Sequence, residues 1–290
     1  MVNYVITSDS SADLGKERME ELGVPYTRLF YIKDGVPRRD LMTNECALEI
    51  YDAMRKGVVF RSSQCNPDDY VDQWTPMLEQ GKDVLYVGFS SGLSGCVQSA
   101  LIARELLAEQ FPNRKILIVD SLCASGGEGL FLEHVLNKQA EGASLEECHA
   151  YAEELKLRVN HWYTVSELSY LRRGGRVSST AAFVADILNI KPVMDMNDEG
   201  KLIPREKVKG RKAAIRRMAE HLRERVSLKD NPFFRITHAD CMEDALYLKQ
   251  LLQQEYPDVP VHISMVGAVI GAHCGPGTLA LFFLGEPRTH

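Results

Sequence analysis

A chain of 290 residues, 45% hydrophobic and 26% charged, has the composition of a soluble globular protein with room for two packed domains. Its formal charge of -6 argues against general nucleic-acid binding, which draws on a basic footprint to displace counterions. No run approaches the roughly 18 apolar residues of a membrane span, and the seven cysteines, without a CxxC pair, suit reduced thiols better than a disulfide framework or a zinc site.

Met1-Val2-Asn3-Tyr4 runs straight into a strand-like segment without the basic stretch and apolar core of a secretory signal, so a cytoplasmic location is expected. Residues 4–7 read as a buried strand ending in the polar turn Ser8-Asp9-Ser10-Ser11. Asp13-Leu14 leads into a charged helix holding Arg18, Met19 and Leu22, and residues 26–32 read as a second strand. Thr43 is placed to cap a helix through Met54, and Pro67-Asp68 opens another through Leu78. Residues 83–89 are a strand, followed by Ser- and Gly-rich residues and a helix from near Ser94 to Glu109. Residues 115–120 repeat the theme, with a helix from about Ala124 to Glu141. Such alternation predicts a parallel sheet covered on both faces, and residues 144–158 read as a helix closing this region.

Beyond it, residues 161–165 read as a strand and 167–171 as a short helix stopped by Gly174-Gly175. Strands at 192–196 and 202–208 flank Asn197-Asp-Glu-Gly200, a hairpin signal. Residues 211–225 and 243–254 read as helices, and 234–237, 261–265 and 278–284 as strands. The expected fold class is therefore α/β in two domains. Residues 1–160 form a parallel α/β sheet domain and 161–290 an α+β domain with a mixed sheet, although no Pro- or Gly-rich linker marks the division.

Three polar, glycine-rich turns carry the candidate chemistry. They are Arg61-Ser62-Ser63-Gln64, Ser90-Ser91-Gly92-Leu93-Ser94-Gly95, and His273 between Gly271-Ala272 and Gly275-Pro276-Gly277. Glycine lets a backbone approach a ligand closely. If the fold brings Ser62, Ser94 and His273 together, they make a donor-rich pocket for one anionic head group. Each also has a plain reading: Ser94 as a helix cap, Ser62 as a turn serine bonding its own backbone, His273 as a buried structural histidine. Ser8-Asp9-Ser10-Ser11 lacks both the Walker pattern and the GxSxG elbow, so Asp9 and Asp120 are expected to fix turns at strand ends.

These turns resemble those of the DegV family of bacterial fatty-acid-binding proteins, which includes the FakB acyl carriers of a fatty acid kinase. The matching residues are Thr7-Ser-Asp-Ser-Ser-Ala-Asp-Leu14, Ser62-Ser-Gln64, Ser91-Gly-Leu-Ser-Gly95 with Gln98-Ser99-Ala100, and Val119-Asp-Ser121. Further along come Leu171-Arg-Arg-Gly-Gly-Arg-Val-Ser178, Asn189-Ile-Lys-Pro192, Gly271-Ala-His273 and Gly275-Pro-Gly277, all in the family's order. The resemblance implies two α/β domains with a lipid pocket between them, the fatty-acid carboxylate held by Ser62, Ser94 and His273, and the tail in a hydrophobic tunnel. Ser62 stands where the family commonly has threonine, and Cys65, Cys96 and Cys274 replace its usual neighbours, which puts the fine shape of the pocket in question.

On this reading the chain is a non-catalytic carrier of a long-chain fatty acid, with no cofactor and no metal. It would present the carboxylate to a fatty acid kinase for acyl-phosphate formation and phospholipid synthesis. His273 would donate an N–H or a full positive charge to the carboxylate. Arg176 could assist near an acyl phosphate, and Arg172, Arg173, Lys207, Lys209, Arg211 and Lys212 could dock the kinase, although such clusters are more often solvated faces. The alternative is a serine hydrolase or acyltransferase using Ser94 with His273, which geometry alone can establish.

Overall fold

The computed structural model describes residues 3–177 and 189–288; Met1, Val2 and Ser178 of the segments quoted above lie outside the described residues. The first half runs β1 (Tyr4–Asp9), α1 (Lys16–Glu21), β2 (Tyr26–Thr27), β3 (Phe30–Lys33), β4 (Val36–Arg39), α2 (Asn44–Arg55), β5 (Arg61–Ser63) and α3 (Pro67–Glu79). It continues with β6 (Asp83–Gly88), α4 (Cys96–Gln110), β7 (Ile116–Asp120), α5 (Gly126–Ala140) and α6 (Leu145–Leu155). Thr43 caps α2 by accepting the Cys46 N–H at 3.3 Å, and Ser144 with Glu147 forms a capping box on α6.

β1, β2, β6 and β7 form an all-parallel sheet in the order β2-β1-β6-β7. The chain leaves β1 toward β2 on one side and returns to β6 on the other. The strand order therefore reverses between β1 and β6, and the crevice at their carboxyl ends is where such sheets bind ligands.

The strand expected over 26–32 is divided in two. β2 lies beside β1, whereas β3 joins β4 and β5 in a small antiparallel sheet in the order β4-β3-β5. The break falls at Leu29, whose N–H goes to the Ser10 hydroxyl at 3.0 Å and whose carbonyl accepts the Asp40 N–H at 2.9 Å. Asp34 and Gly35, with φ of 53° and 77°, turn β3 into β4 as a two-residue hairpin, for which Asp-Gly was the available signal. Arg61-Ser62-Ser63 is thus a short strand rather than a turn.

The second half runs β8 (Val159–Thr164), α7 (Leu168–Gly174), β9 (Ile190–Met196), β10 (Leu202–Lys209) and α8 (Arg211–Arg225). After these come β11 (Phe234–His238), α9 (Met242–Glu255), β12 (Val261–Met265), α10 (Ala268–Cys274) and β13 (Leu279–Leu284). The mixed sheet has the order β10-β9-β8-β13-β11-β12, antiparallel except where β12 joins β11.

β13 shows how the halves join. Its residues are all buried, and the period-2 pleat sends Leu279, Leu281 and Phe283 to the core under α8 and α9. Ala280, Phe282 and Leu284 face the larger core shared with α5 of the first half. A buried ion pair crosses the same junction, from Glu133 of α5 to Arg235 of β11. No element was expected over 268–274; these residues form α10, whose Gly271 leaves room for the Tyr51 ring, since a Cβ there would lie 2.5 Å from the phenol oxygen.

Candidate functional site

Ser62, Ser94, Arg176 and His273 line one cavity of about 470 Å³ beside the carboxyl end of β6. Each comes from a different place: Ser62 from β5, Ser94 from the loop between β6 and α4, Arg176 from just beyond α7, and His273 from the last turn of α10. Ser62 Oγ and His273 Nε2 are 2.6 Å apart across 211 residues of chain. Ser94 Oγ accepts the Cys96 N–H at 3.4 Å and donates to Cys96 Sγ at 3.3 Å, so it braces the turn entering α4, whose N-cap is Gly95, while standing in the cavity wall. Arg176 Nε donates to the Leu93 carbonyl at 3.3 Å and Nη1 to the Gly174 carbonyl at 2.5 Å.

Burial pushes the His273 imidazole down to about 4, and the neighbouring Arg176 guanidinium pushes the same way. His273 by itself is therefore neutral at neutral pH, and the Arg176 guanidinium lies in the same cavity wall. Nor do the described residues assemble a Ser–His–Asp triad: His273 bonds Ser62 rather than Ser94, and its buried Nδ1 has no partner.

Two carboxyls missed by the sequence reading as site supports hold the start of α10. Asp13 accepts the Gly267 N–H at 2.9 Å and meets the Ser125 hydroxyl at 2.5 Å; Asp40 accepts from Met42 at 2.8 Å and Val269 at 3.4 Å. Burial pushes Asp13 up to about 8 against the hydrogen bonds from Ser125 and Gly267. Because this value is raised above the unfolded one, Asp13's contribution to stability is complete below about pH 4 and is lost as pH rises through about 8. Asp13→Asn, held in the neutral form, should therefore melt higher than the parent near pH 9, with the gap closing toward about pH 5. Thermal unfolding across that range reads it, and a variant less stable at every pH would refute the neutral-acid assignment. Asp9 and Asp120 act as expected at strand ends, accepting from Ser11 at 2.9 Å and from Ser91 and Leu122 at 3.1 Å.

From the polar end the cavity walls turn apolar, through Phe89, Leu93, Leu171, Leu202 and Ile270. Ala124, Leu171, Leu202, Ile270 and Cys274 are shared with a smaller chamber of about 60 Å³ that reaches His161, Tyr163 and Phe282 between the halves. Of the unusual cysteines, Cys274 forms part of both walls, while Cys65 and Cys96 are fully buried. On the far side of the Ser62–His273 pair lies a second groove of about 470 Å³, whose walls include Arg61, Arg173, Arg176 and the exposed Val58 and Val59.

Lys207 and Arg211 are not among these walls. Lys207 is exposed on β10, roughly 15 Å along the strand from Leu202. Arg211 is not the exposed cation expected: its side chain is 19% accessible, Nε donates to Asp244 at 2.8 Å, and Nη2 donates to the Gly277 carbonyl at 2.6 Å. It ties α8 to α9 and to the turn after α10, so reversing its charge would set two carboxyls against each other.

Among the described residues no cluster of His, Cys, Asp and Glu is arranged to hold a metal ion, and no helix is long and apolar enough to cross a membrane.

The family model described as "Uncharacterised protein, DegV family" matches residues 3–286. A DegV domain-containing protein of Clostridium perfringens is 38% identical over 289 residues, covering 99% of each chain. Among solved structures, a DegV family protein of Thermus thermophilus described for fatty acid binding superposes with a TM-score of 0.87 at 29% identity, covering 98% of this chain and 100% of that one. DegV of Bacillus subtilis, described as a fatty acid binding protein, gives 0.85 at 28% identity, covering 99% and 100%.

Proposed function

The chain belongs to the DegV family, and from that premise we propose that it binds a long-chain fatty acid, carboxylate at Ser62, Ser94 and His273, tail in the apolar part of the cavity. The observation that carries this reading is the polarity of one cavity: hydroxyls, an imidazole and a guanidinium at one end, aliphatic and aromatic walls leading between the sheets at the other. Burying a tail contributes about 0.8 kcal/mol per methylene before costs, so a deep apolar chamber matters more than any single head-group bond. The two solved relatives described for fatty acid binding support the same ligand class.

The protein acts in this reading as a non-catalytic, cytoplasmic carrier that presents the carboxylate to an ATP-dependent fatty acid kinase, feeding acyl phosphate to phospholipid synthesis. Arg176, in both the cavity and the outer groove, suits a phosphate oxygen through its planar donor fork. Arg61 and Arg173 make the outer groove a better kinase-facing surface than the region of Arg211, while Lys207 remains a peripheral candidate. The two domains divide near residue 160, where β8 begins the mixed sheet.

Mass spectrometry of lipid extracted from the denatured recombinant protein tests the ligand. A fatty acid should be recovered, and a generic ester should not be turned over; steady ester hydrolysis without bound lipid would favour the serine-enzyme alternative. Acyl-phosphate production with a fatty acid kinase tests the carrier role. Ser94→Ala should weaken fatty-acid binding by about 1.5–3 kcal/mol, the worth of a hydrogen bond to a charged group, with the fold intact. Unchanged affinity in a lipid titration would remove Ser94 from the head-group site.

A further inference from the structure

We propose that Cys65 and Cys96 are a peroxide-oxidisable pair: Cys96 attacks a small hydroperoxide, hydrogen peroxide being the smallest, and Cys65 then closes a reversible disulfide with it. The chemistry is independent of what fills the cavity.

The two thiols meet where the end of β5 is held against the start of α4. Gln64, next to Cys65, donates its Nε2–H to Ser99 Oγ of α4 at 3.1 Å. Gly95, next to Cys96, stands so close to the Gln64 amide that a Cβ there would collide with it. Cys96 is the first residue of the 15-residue α4, where free backbone N–H groups and the helix dipole favour negative charge. Further donors converge on its sulfur. The Ser94 hydroxyl donates at 3.3 Å, and Cys65 presents both its thiol and its backbone N–H.

These bonds, led by the one from the Cys65 thiol, pull the Cys96 thiol below its ordinary value, although burial and the Asp9 carboxyl oppose them. Asp9 is itself pushed up by burial, which limits the charge it sets against the sulfur. The contact with Cys96 pushes the Cys65 thiol up, and burial does the same to Cys46, Cys123, Cys148, Cys241 and Cys274. Cys96 is thus the one cysteine of the seven favoured as a thiolate, with a second thiol beside it to resolve the product. Both sulfurs are buried, but Ser94 and Gln64 beside them line the main cavity, which gives a molecule little larger than water a short way in.

In the first step the Cys96 thiolate displaces hydroxide from the peroxide O–O bond, forming an S–O bond, and the hydroxide takes a proton to become water. The Cys65 sulfur then attacks the Cys96 sulfur. The S–O bond breaks, and its oxygen leaves as a second water with the proton that Cys65 gives up. Each sulfur loses one electron, and the peroxide gains both.

The test treats the folded, reduced protein with hydrogen peroxide, followed by acid quench, alkylation in denaturant and peptide mass spectrometry. A Cys65–Cys96 cross-link that dithiothreitol reverses should form roughly tenfold faster than any oxidation of Cys241, the most exposed of the cysteines. Cys65→Ser should leave an added oxygen on Cys96, whereas Cys96→Ser should leave Cys65 a thiol. Oxidation of Cys241 ahead of the pair would show that exposure and not thiolate character governs, and would overturn the proposal. So would cross-linking of Cys96 to any other cysteine, or an added oxygen on Cys65 in Cys96→Ser. The cross-link rate is read on the parent protein, so a variant that fails to fold leaves the test decisive.

Discussion

Ile270→Trp is expected to abolish tight binding of a long-chain fatty acid while leaving a medium-chain acid bound and the fold intact. Ile270 lies on α10, three residues before His273, and lines both the main cavity and the inner chamber. It is half-buried, so an indole can grow into space that is now empty and need not force its way into packed core. The passage it narrows is the one a tail would follow from the polar end toward His161 and Phe282. Each methylene kept out forfeits about 0.8 kcal/mol, and excluding about six costs on the order of 5 kcal/mol, a loss of several thousandfold in affinity. An acid of about eight carbons, which ends before the passage, should lose little by the same arithmetic. Titrations of both acids into both proteins check it. Equal affinity for the long acid in variant and parent would mean that the tail takes another route, and loss of both acids would point to damage at the head-group end.

Glu133→Ala should be the most damaging single change at the junction of the two halves. The Arg235 guanidinium is buried to 4% accessibility against Glu133, also 4%, and its Nε already lacks a partner. Glu133 also takes Arg18 of α1 through hydrogen bonds of 2.9 and 3.0 Å, so one carboxylate binds α5 to both α1 and β11. Burial pushes the Arg235 guanidinium below its ordinary value and the Glu133 charge opposes that push. Without Glu133 the buried cation is uncompensated, which costs about 3–5 kcal/mol. Replacing both partners, as Glu133→Leu with Arg235→Met, should recover most of that loss, because the pair's own attraction largely offsets its desolvation. Denaturant unfolding of the parent, the single and the double variant separates the outcomes. A single variant within about 1 kcal/mol of the parent would show that solvent reaches Arg235 in its place.

Much of the fold was legible because it depends on neighbours in sequence. The alternation of apolar runs with capped helices announced the parallel sheet, and Thr43 and Ser144 marked helix starts through bonds spanning three residues. The expected strand over 26–32 failed because an apolar run does not say which partner it pairs with. That choice was made by the Ser10 hydroxyl and Asp40 backbone taking up Leu29. α10 was hidden because it is only seven residues long and is interrupted by Gly271, a poor helix former whose missing Cβ lets the Tyr51 ring approach.

For the site, the sequence by itself offered the candidate groups: two serines and a histidine in glycine-rich surroundings, with Arg176 as a further candidate. The tertiary structure decided how they are arranged. It joined His273 to Ser62 and left Ser94 to the start of α4, set Asp13 and Asp40 under α10, and drew Arg211 away into a structural contact. The reason is that hydrogen-bond pairing and proton affinity follow distance and burial in space. Those are set by how α10 packs against α2, α7 and β5, contacts that no local pattern in the chain encodes.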